Sequence, residues 1–194
     1  MPVFTGPPFS YRRVMIFIDG GYLREEFKKL EGTDGIDYQK LSRFLVALTN
    51  RGPIVGELIR AYYYDAIIED ISDPKHQEQD KYLKNVRRND FYEVRLGRLV
   101  RTPEGYRQKG VDALIATDMI QKAYQGHYEI AVLLAGDDDL LDVVKAVKDS
   151  GKRIHGVYFQ GHVSSRLEES FDVRHTLGLK EANELIQQRQ ASVS

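Results

Sequence analysis

Two short, almost entirely apolar segments constrain the fold of this chain more than any other feature of its sequence. They are residues 13–18 and 130–135, and both are followed at once by glycine and aspartate residues. An apolar run of this length is typical of a strand that is buried on both faces of a parallel sheet. Segments with apolar residues at helical spacing separate these runs from others like them. The alternation predicts an α/β domain with a mainly parallel sheet.

Hydrophobic periodicity and turn residues predict the order of the elements along the chain. We expect strands at residues 13–18, 54–64, 92–100, 106–109, 130–135, 153–159 and 173–177. We expect helices at residues 22–30, 38–49, 74–89, 111–123, 140–150, 164–170 and 180–190. The third and fourth strands flank a turn at residues 103–105, so we expect them to form a β-hairpin rich in basic residues.

Length, charge and composition limit the possible classes of protein. The 194 residues suit one domain, which we place at residues 13–190 after a flexible N-terminal segment, residues 1–12. A formal net charge of −1 means that any nucleic-acid site must be local. The absence of cysteine excludes disulfides, thiol nucleophiles and zinc–thiolate sites. Because no apolar run approaches the ~20 residues of a membrane span and no secretory signal is evident, we expect a cytoplasmic protein without a membrane partner.

The carboxylates that follow the two apolar strands are the first candidates for chemistry. Asp19 ends the first run, and Asp137 and Asp139 follow the second. Ligands of an open parallel sheet bind outside the carboxyl ends of its strands, so we expect these acids to converge. Close carboxylates repel each other by roughly 4 kcal/mol at an effective dielectric near 20, and a divalent cation relieves the repulsion. Oxygen ligands favour Mg²⁺ or Mn²⁺, which could activate water for phosphodiester hydrolysis.

Helix capping is the alternative explanation for each aspartate taken alone, because a carboxylate at a strand end stabilises the amides of the next helix. Asp138 lies between two candidates, and we expect it to point elsewhere. Asp112 falls in the first turn of a predicted helix, where the dipole also favours it. Asp118 is six residues later, about 120° around that helix, so both cannot face one site squarely. We keep Asp118 as a candidate for the rim of the site or for a structural role.

The segment from Lys84 to Lys109 is a local basic region, with eight Lys and Arg residues against three Asp and Glu residues. Aromatic residues are interleaved with these cations, as in proteins that stack single-stranded bases at ~1–3 kcal/mol each. A solvated hairpin with structural aromatics is the alternative. We favour a binding role because the segment runs directly into Asp112, and we assign Arg107 and Lys109 as contacts to phosphate.

Four motifs, in this order, resemble the NYN nucleases, whose domain is similar to the PIN domain. The motifs are Phe17–Leu23, Lys109–Asp112 with Ala116–Met119, Ala135–Leu140 and Gly151–Ile154, and Ser164–Leu167 with Asp172 is a weaker fifth. Together they span about residues 14–177, which is nearly the whole chain. The sequence departs from the family pattern at Tyr22, where Asn is usual, and at Leu140, where an aromatic residue is usual.

This resemblance implies a three-layer α/β/α sandwich and a ribonuclease that depends on Mg²⁺ or Mn²⁺. It implies four metal-binding acids, which are Asp19, Asp112, Asp137 and Asp139. Asp118 is a further catalytic candidate. It also implies that Ser164 or Ser165 approaches the same pocket, and that Tyr22 lies beside it as a contact to the substrate.

The sequence therefore predicts a metal-dependent endoribonuclease that acts on single-stranded or structured RNA. Two alternatives stay open. The first is an RNA-binding or regulatory module whose catalysis is weak or lost, and Tyr22 in place of the usual Asn is the feature that supports it. The second is a phosphotransfer enzyme for small molecules. A dinucleotide-binding domain is disfavoured because the segment after the first strand lacks the spaced glycines of that fold. The oligomeric state is open, with a homodimer as one alternative.

Overall fold

A computed structural model of the chain describes residues 9–32, 35–103 and 105–186. These ranges contain seven strands: β1 (Ser10–Asp19), β2 (Ile54–Ile68), β3 (Tyr92–Thr102), β4 (Gly105–Lys109), β5 (Ile130–Leu134), β6 (Arg153–Phe159) and β7 (Val173–Leu177). They also contain seven α-helices: α1 (Gly20–Glu31), α2 (Tyr38–Ala47), α3 (Pro74–Arg87), α4 (Val111–Tyr124), α5 (Leu141–Asp149), α6 (Ser165–Ser170) and α7 (Leu179–Leu185). A 3₁₀ turn, Asp138–Leu140, precedes α5.

All seven strands form one sheet, in the order β4-β3-β2-β1-β5-β6-β7. Every neighbouring pair is parallel except β3 and β4, which run antiparallel. The chain first builds outward from β1 through β2 and β3, and later returns to the other side of β1 with β5. The strand order therefore reverses between β1 and β5. Crevices at such reversals are the usual ligand sites of open α/β sheets.

Alternation along β1 divides the interior into two hydrophobic clusters on the two faces of the sheet. Val14, Ile16 and Ile18 pack with residues of α1, α2, α3 and α7. Met15 and Phe17 pack with residues of α4, α5 and α6. Because both faces are covered, the central strands carry no polar alternation, and this is why their sequences read as continuous apolar runs.

Local capping explains where several of the helices begin. Asp19 caps α1, Asp37 caps α2 and Asp73 caps α3, and in each case the aspartate side chain accepts a hydrogen bond from a backbone N–H of the first turn. Pro74 occupies the first turn of α3, where its missing N–H costs nothing. Side-chain capping and helix patterning thus agree with each other at these three positions.

The strands β1 and β2 extend furthest beyond the ranges that the sequence predicted. β1 begins at Ser10, because the exposed residues 11–13 continue the pairing with β2 although they carry no apolar signal. β2 continues to Ile68, which pairs with Leu99 of β3. Most of the predicted N-terminal segment, residues 1–8, and the predicted last turn of the terminal helix, residues 187–190, lie outside the described residues. None of the helices within the described ranges combines the length and apolar character needed to cross a bilayer.

Candidate acidic site at the β1–β5 crevice

Asp19 is the last residue of β1, directly outside the crevice between β1 and β5. Its carboxylate Oδ1 accepts a hydrogen bond of 3.0 Å from the backbone N–H of Tyr22. Burial raises the pKa of Asp19, the nearby carboxylates of Asp112 and Asp65 add to the shift, and the backbone N–H groups of Tyr22 and Gly21 oppose it, so that the resulting pKa is about 6. Asp19 is therefore a carboxylate that sits in an unfavourable environment when it is ionised.

Asp112 and the Asp137–Asp139 turn contribute the remaining acids at this end of the sheet. Burial raises the pKa of Asp112 above its ordinary value, and the carboxylates of Asp137 and Asp139 raise it further. Asp137 follows β5 and accepts a hydrogen bond of 3.1 Å from the backbone N–H of Asp139. Asp112 thus interacts electrostatically with Asp19 on one side and with the turn after β5 on the other.

These four carboxylates share one property within the described part of the chain: none has a basic side chain within ion-pair distance. Of the four, Asp112, Asp137 and Asp139 are exposed to solvent and Asp19 is partly buried, whereas several nearby buried or partly buried aspartates do have such partners. Asp65 pairs with Arg24 at 2.6 Å, Asp118 pairs with Lys122 at 2.5 Å, and Asp138 pairs with Arg166 at 2.7 Å. The fold therefore neutralises the surrounding acids and leaves Asp19, Asp112, Asp137 and Asp139 without a cation.

A cavity of about 520 Å³ opens beside two of the four acids, and we call it the acidic cavity. Its lining combines carboxylates with basic and amide groups: Asp19, Gly21, Tyr22, Arg24, Glu25, Lys28, Gln108 and Asp137. The sequence had not indicated Arg24, Lys28 or Gln108. Helical spacing could have indicated Arg24 and Lys28, because residues 21, 24, 25 and 28 lie on one face of α1.

Gln108 enters the cavity from β4, where it comes close to the start of α1. A Cβ added to Gly21 would lie 2.7 Å from Gln108 Nε2 and 3.4 Å from Asp19 Oδ1, so a larger residue at this position would displace the Gln108 amide. Alternation along β4 directs Arg107 and Lys109 to the face opposite Gln108. Their assignment as phosphate contacts stays a prediction, and Gln108 is the β4 residue at the acidic cavity.

Arg24 lines the acidic cavity and forms an ion pair with Asp65 of β2. Asp65 is only 2 % exposed and follows Tyr64, the β2 partner of Asp19 in the sheet register. Burial raises the pKa of Asp65, whereas the Arg24 guanidinium opposes that rise. Arg24 also lies over the Tyr82 ring, 5.1 Å from its centroid. The ion pair fixes a guanidinium next to the acidic cavity.

Asp118 occupies a different environment from the four acids. It is 8 % exposed, it accepts a hydrogen bond of 3.0 Å from the Tyr64 hydroxyl, and it pairs with Lys122 at 2.5 Å and with Arg95 at 3.5 Å. These partners account for the charge of Asp118 on the buried side of α4. A direct catalytic role for Asp118 stays a prediction.

Tyr22 uses its hydroxyl group to hold the loop after β6. The hydroxyl donates to the carbonyl oxygen of His162 at 2.7 Å and accepts from the backbone N–H of Phe159 at 2.9 Å. The ring also comes so close to Gly136 that a Cβ there would lie 2.6 Å from Tyr22 Cε2. Tyr22 lines the acidic cavity with its ring, while its hydroxyl is already engaged by the protein.

The start of α6 lies against the turn after β5, through Asp138. Ser164 donates from its hydroxyl to Asp138 Oδ1 at 2.6 Å, and its backbone N–H donates to the Gly136 carbonyl at 3.0 Å. Arg166 binds the other Asp138 oxygen. Asp138 therefore points toward α6, whereas the sequence predicted only that it would point away from the site. Neither Ser164 nor Ser165 lines the acidic cavity, so their assignment as substrate contacts stays a prediction.

The carboxylates fit a weakly held, hydrated cation better than a closed cage. Within residues 9–32, 35–103 and 105–186, no three His, Asp or Glu side chains are grouped closely enough to hold a metal ion. Mg²⁺ nevertheless often binds through one or two carboxylates and keeps several waters. Asp19 and Asp137, which line the same cavity without a basic partner, are a donor set of that kind.

The fold is that of an α/β domain that carries several aspartates near its strand reversal. The sequence model of the NYN domain matches residues 13–178 of the chain, and the chain belongs to the NYN domain family. Membership in this family indicates a nuclease-type, RNA-related function.

Two individual proteins are similar to parts or most of this chain. The uncharacterized protein y4oD of Sinorhizobium fredii is 46% identical over 48 residues, which cover 25% of this chain and 22% of that protein. The match thus spans less than a quarter of that relative. The crystal structure of a protein of unknown function from Vibrio parahaemolyticus superposes with a TM-score of 0.62 at 20% identity, covering 86% of this chain and 93% of the other. This second likeness supports the fold alone.

Proposed function

We propose that the protein is a metal-dependent endoribonuclease that hydrolyses RNA phosphodiester bonds at the acidic cavity. The observation that carries the proposal is the group of four aspartates without basic partners in the described residues, where burial and mutual repulsion raise the pKa of two members. Their joint charge suits Mg²⁺ or Mn²⁺. A bound ion would polarise a phosphate oxygen and stabilise the charge that develops on it.

The roles of the residues follow from their positions. Asp19 and Asp137 would hold the ion directly because they line the cavity, and Asp112 would add negative charge from α4. Asp139 would act through its proximity to Asp112. Asp118 takes a structural role in this proposal, through its contacts with Tyr64 and Lys122.

Basic and amide groups of the same cavity would orient the RNA backbone. Lys28 is exposed at the cavity and has no ion-pair partner among the described residues, so it can bind a phosphate. Arg24 and the Gln108 amide would complete the contacts. Arg107, Lys109, Ser164 and Ser165 remain candidate substrate contacts further out, as the sequence predicted.

The finer features of the fold belong to the same proposal. We take the helices on the two faces as the outer layers of a three-layer α/β/α sandwich of PIN-like type, and β3 and β4 as a basic hairpin inserted into it. A cytoplasmic location and a homodimer also stay predictions.

Cleavage assays with a pair of neighbouring aspartates test the proposal. Purified protein with Mn²⁺ should cleave single-stranded RNA, and EDTA should stop the cleavage. Asp137→Asn should lower the rate by 100-fold or more, which is on the order of losing one charge-stabilising group. Asp138→Asn is the matched control, because that carboxylate is bound by Ser164 and Arg166. Equal cleavage by wild type and Asp137→Asn would overturn the proposal.

One observation favours a second candidate, an RNA-binding module without catalysis. No three acidic or histidine side chains in the described ranges are grouped for a metal ion, as a preformed catalytic centre would have them. The same RNA panel separates the candidates. Binding of RNA without cleavage in Mg²⁺ and in Mn²⁺ would identify the binding module.

A further inference from the structure

A second cavity of about 720 Å³ lies beside α3, and we call it the α3 cavity. Its volume is in the range of cavities that bind small molecules, so it can take a nucleotide-sized group. Basic and aromatic side chains from α1, β4 and α3 with its C-cap line it, and they include Arg24, Lys75, Lys81, Tyr82, Arg88 and Tyr106.

The charge of the α3 cavity is suited to a phosphate-bearing ligand. Four of its lining residues are basic, and Glu78 is the acidic one. Lys75, Lys81 and Arg88 are exposed and have no ion-pair partner in the described part of the chain. Their charges are therefore free to bind an anion.

Aromatic rings give the same cavity a surface for a base. Tyr106 is 39% exposed, and its hydroxyl is fixed by a hydrogen bond of 3.1 Å to Asp73 Oδ2. The ammonium group of Lys75 lies over this ring, 5.6 Å from its centroid. A ring held in this way can stack an unpaired base without being ordered on binding.

Two features connect the α3 cavity with the acidic cavity. Arg24 lines both of them, held between Asp65 and the Tyr82 ring. On β4, Tyr106 lines the α3 cavity and Gln108 lines the acidic cavity. Residues two apart share one face of a strand and lie about 7 Å from each other, so one nucleic-acid strand could contact both.

We propose that the α3 cavity binds an unpaired nucleotide of the RNA strand whose neighbouring phosphodiester lies at the acidic cavity. Tyr106 stacks on the base, while Lys81 and Arg88 bind backbone phosphates. This inference rests on the proposed ribonuclease function and narrows its substrate to single-stranded RNA. Bases in a duplex are stacked on each other, so they cannot enter the cavity.

The test is the binding of a labelled single-stranded RNA and of a duplex that contains the same sequence, measured by fluorescence anisotropy in EDTA. Tyr106→Ala should weaken single-strand binding about 5- to 150-fold, which corresponds to one lost base stack. It should change duplex binding much less. Tyr106→Phe should bind much closer to wild type than Tyr106→Ala does, because it keeps the ring and loses only the hydrogen bond to Asp73. Tyr124→Ala is the matched control, since Tyr124 is 67% exposed and lines neither cavity.

The phosphate contacts are tested separately through the salt dependence of binding. Loss of two contacts in the Lys81→Ala/Arg88→Ala variant should reduce the slope of log K against log salt concentration by about 1.4 for a single strand. An unchanged slope together with wild-type binding by Tyr106→Ala would overturn the α3-cavity proposal alone, provided that wild type still cleaves RNA. Failure of wild type to bind any RNA would overturn this proposal and the ribonuclease function together.

Discussion

Replacing Asp19 with Asn should stabilise the folded protein at neutral and alkaline pH. The pKa of Asp19 is raised from 3.8 to about 6, first by burial and then by the carboxylates of Asp112 and Asp65. Each pKa unit corresponds to ~1.36 kcal/mol, so ionised Asp19 costs the fold about 3 kcal/mol. Asn removes the charge and keeps an oxygen that can accept the hydrogen bond from Tyr22, because Asn and Asp are equally good helix caps.

The pH dependence gives this prediction its sign. Below the unfolded pKa near 3.8, Asp19 is protonated in both states, and its favourable contribution is fully present. Between about pH 4 and pH 6 the folded state retains a proton that the unfolded chain has released, so this contribution is lost as pH rises. Asp19→Asn should therefore match wild type near pH 4 and gain up to about 3 kcal/mol above pH 7.

Guanidinium denaturation in EDTA at pH 4.5 and pH 8 measures both free energies of unfolding. Asp138→Asn is the control, since it removes a carboxylate that binds Ser164 and Arg166, and we expect no stabilisation at either pH. A loss of stability at pH 8 in Asp19→Asn, or an equal change at both pH values, would refute the assignment of Asp19 as a buried, unneutralised acid.

Two further substitutions test the environment of the site. Tyr22→Phe should lower the free energy of unfolding by about 1–3 kcal/mol, because the His162 carbonyl and the Phe159 N–H lose their hydrogen-bond partner. Chemical denaturation measures this change, and Tyr124→Phe, at an exposed position, is the control. Asp118→Asn should destabilise by about 3 kcal/mol through loss of the Lys122 ion pair, while the folded protein keeps its cleavage rate. A loss of rate by orders of magnitude at unchanged stability would instead make Asp118 catalytic.

The sequence predicts the order and type of the elements well, because each signal is local. Both faces of the sheet are covered, so β1 and β5 carry apolar runs, and Asp73 followed by Pro74 marks the start of α3. The start of β1 was harder to predict from the sequence. Residues 11–13 are exposed and include two arginines, and only their pairing with β2, which is distant in sequence, makes them a strand.

The sequence could predict a residue of the candidate site only where that residue lies at the end of a strand. Asp19 and Asp137 follow their strands, and the rule for strand ends places both at the crevice. Gln108 could not be found in this way, since its position depends on the antiparallel pairing of β3 with β4 and on the space that Gly21 leaves. Helical spacing correctly placed Asp118 and Asp112 on different sides of α4. The ion pair between Asp118 and Arg95 could not be predicted, because Arg95 comes from β3.

The distribution of basic partners supports the proposal that the site binds a cation. The fold supplies Arg24 to Asp65 and Lys122 to Asp118, so basic residues are available to neutralise acids at this end of the sheet. A cost of about 3 kcal/mol at Asp19 alone is a large part of the ~5–15 kcal/mol by which domains are stable. A divalent ion that binds only the folded state would offset this cost through binding linkage. Mn²⁺ should therefore raise the melting temperature of wild type at pH 8 and have a much smaller effect on Asp19→Asn.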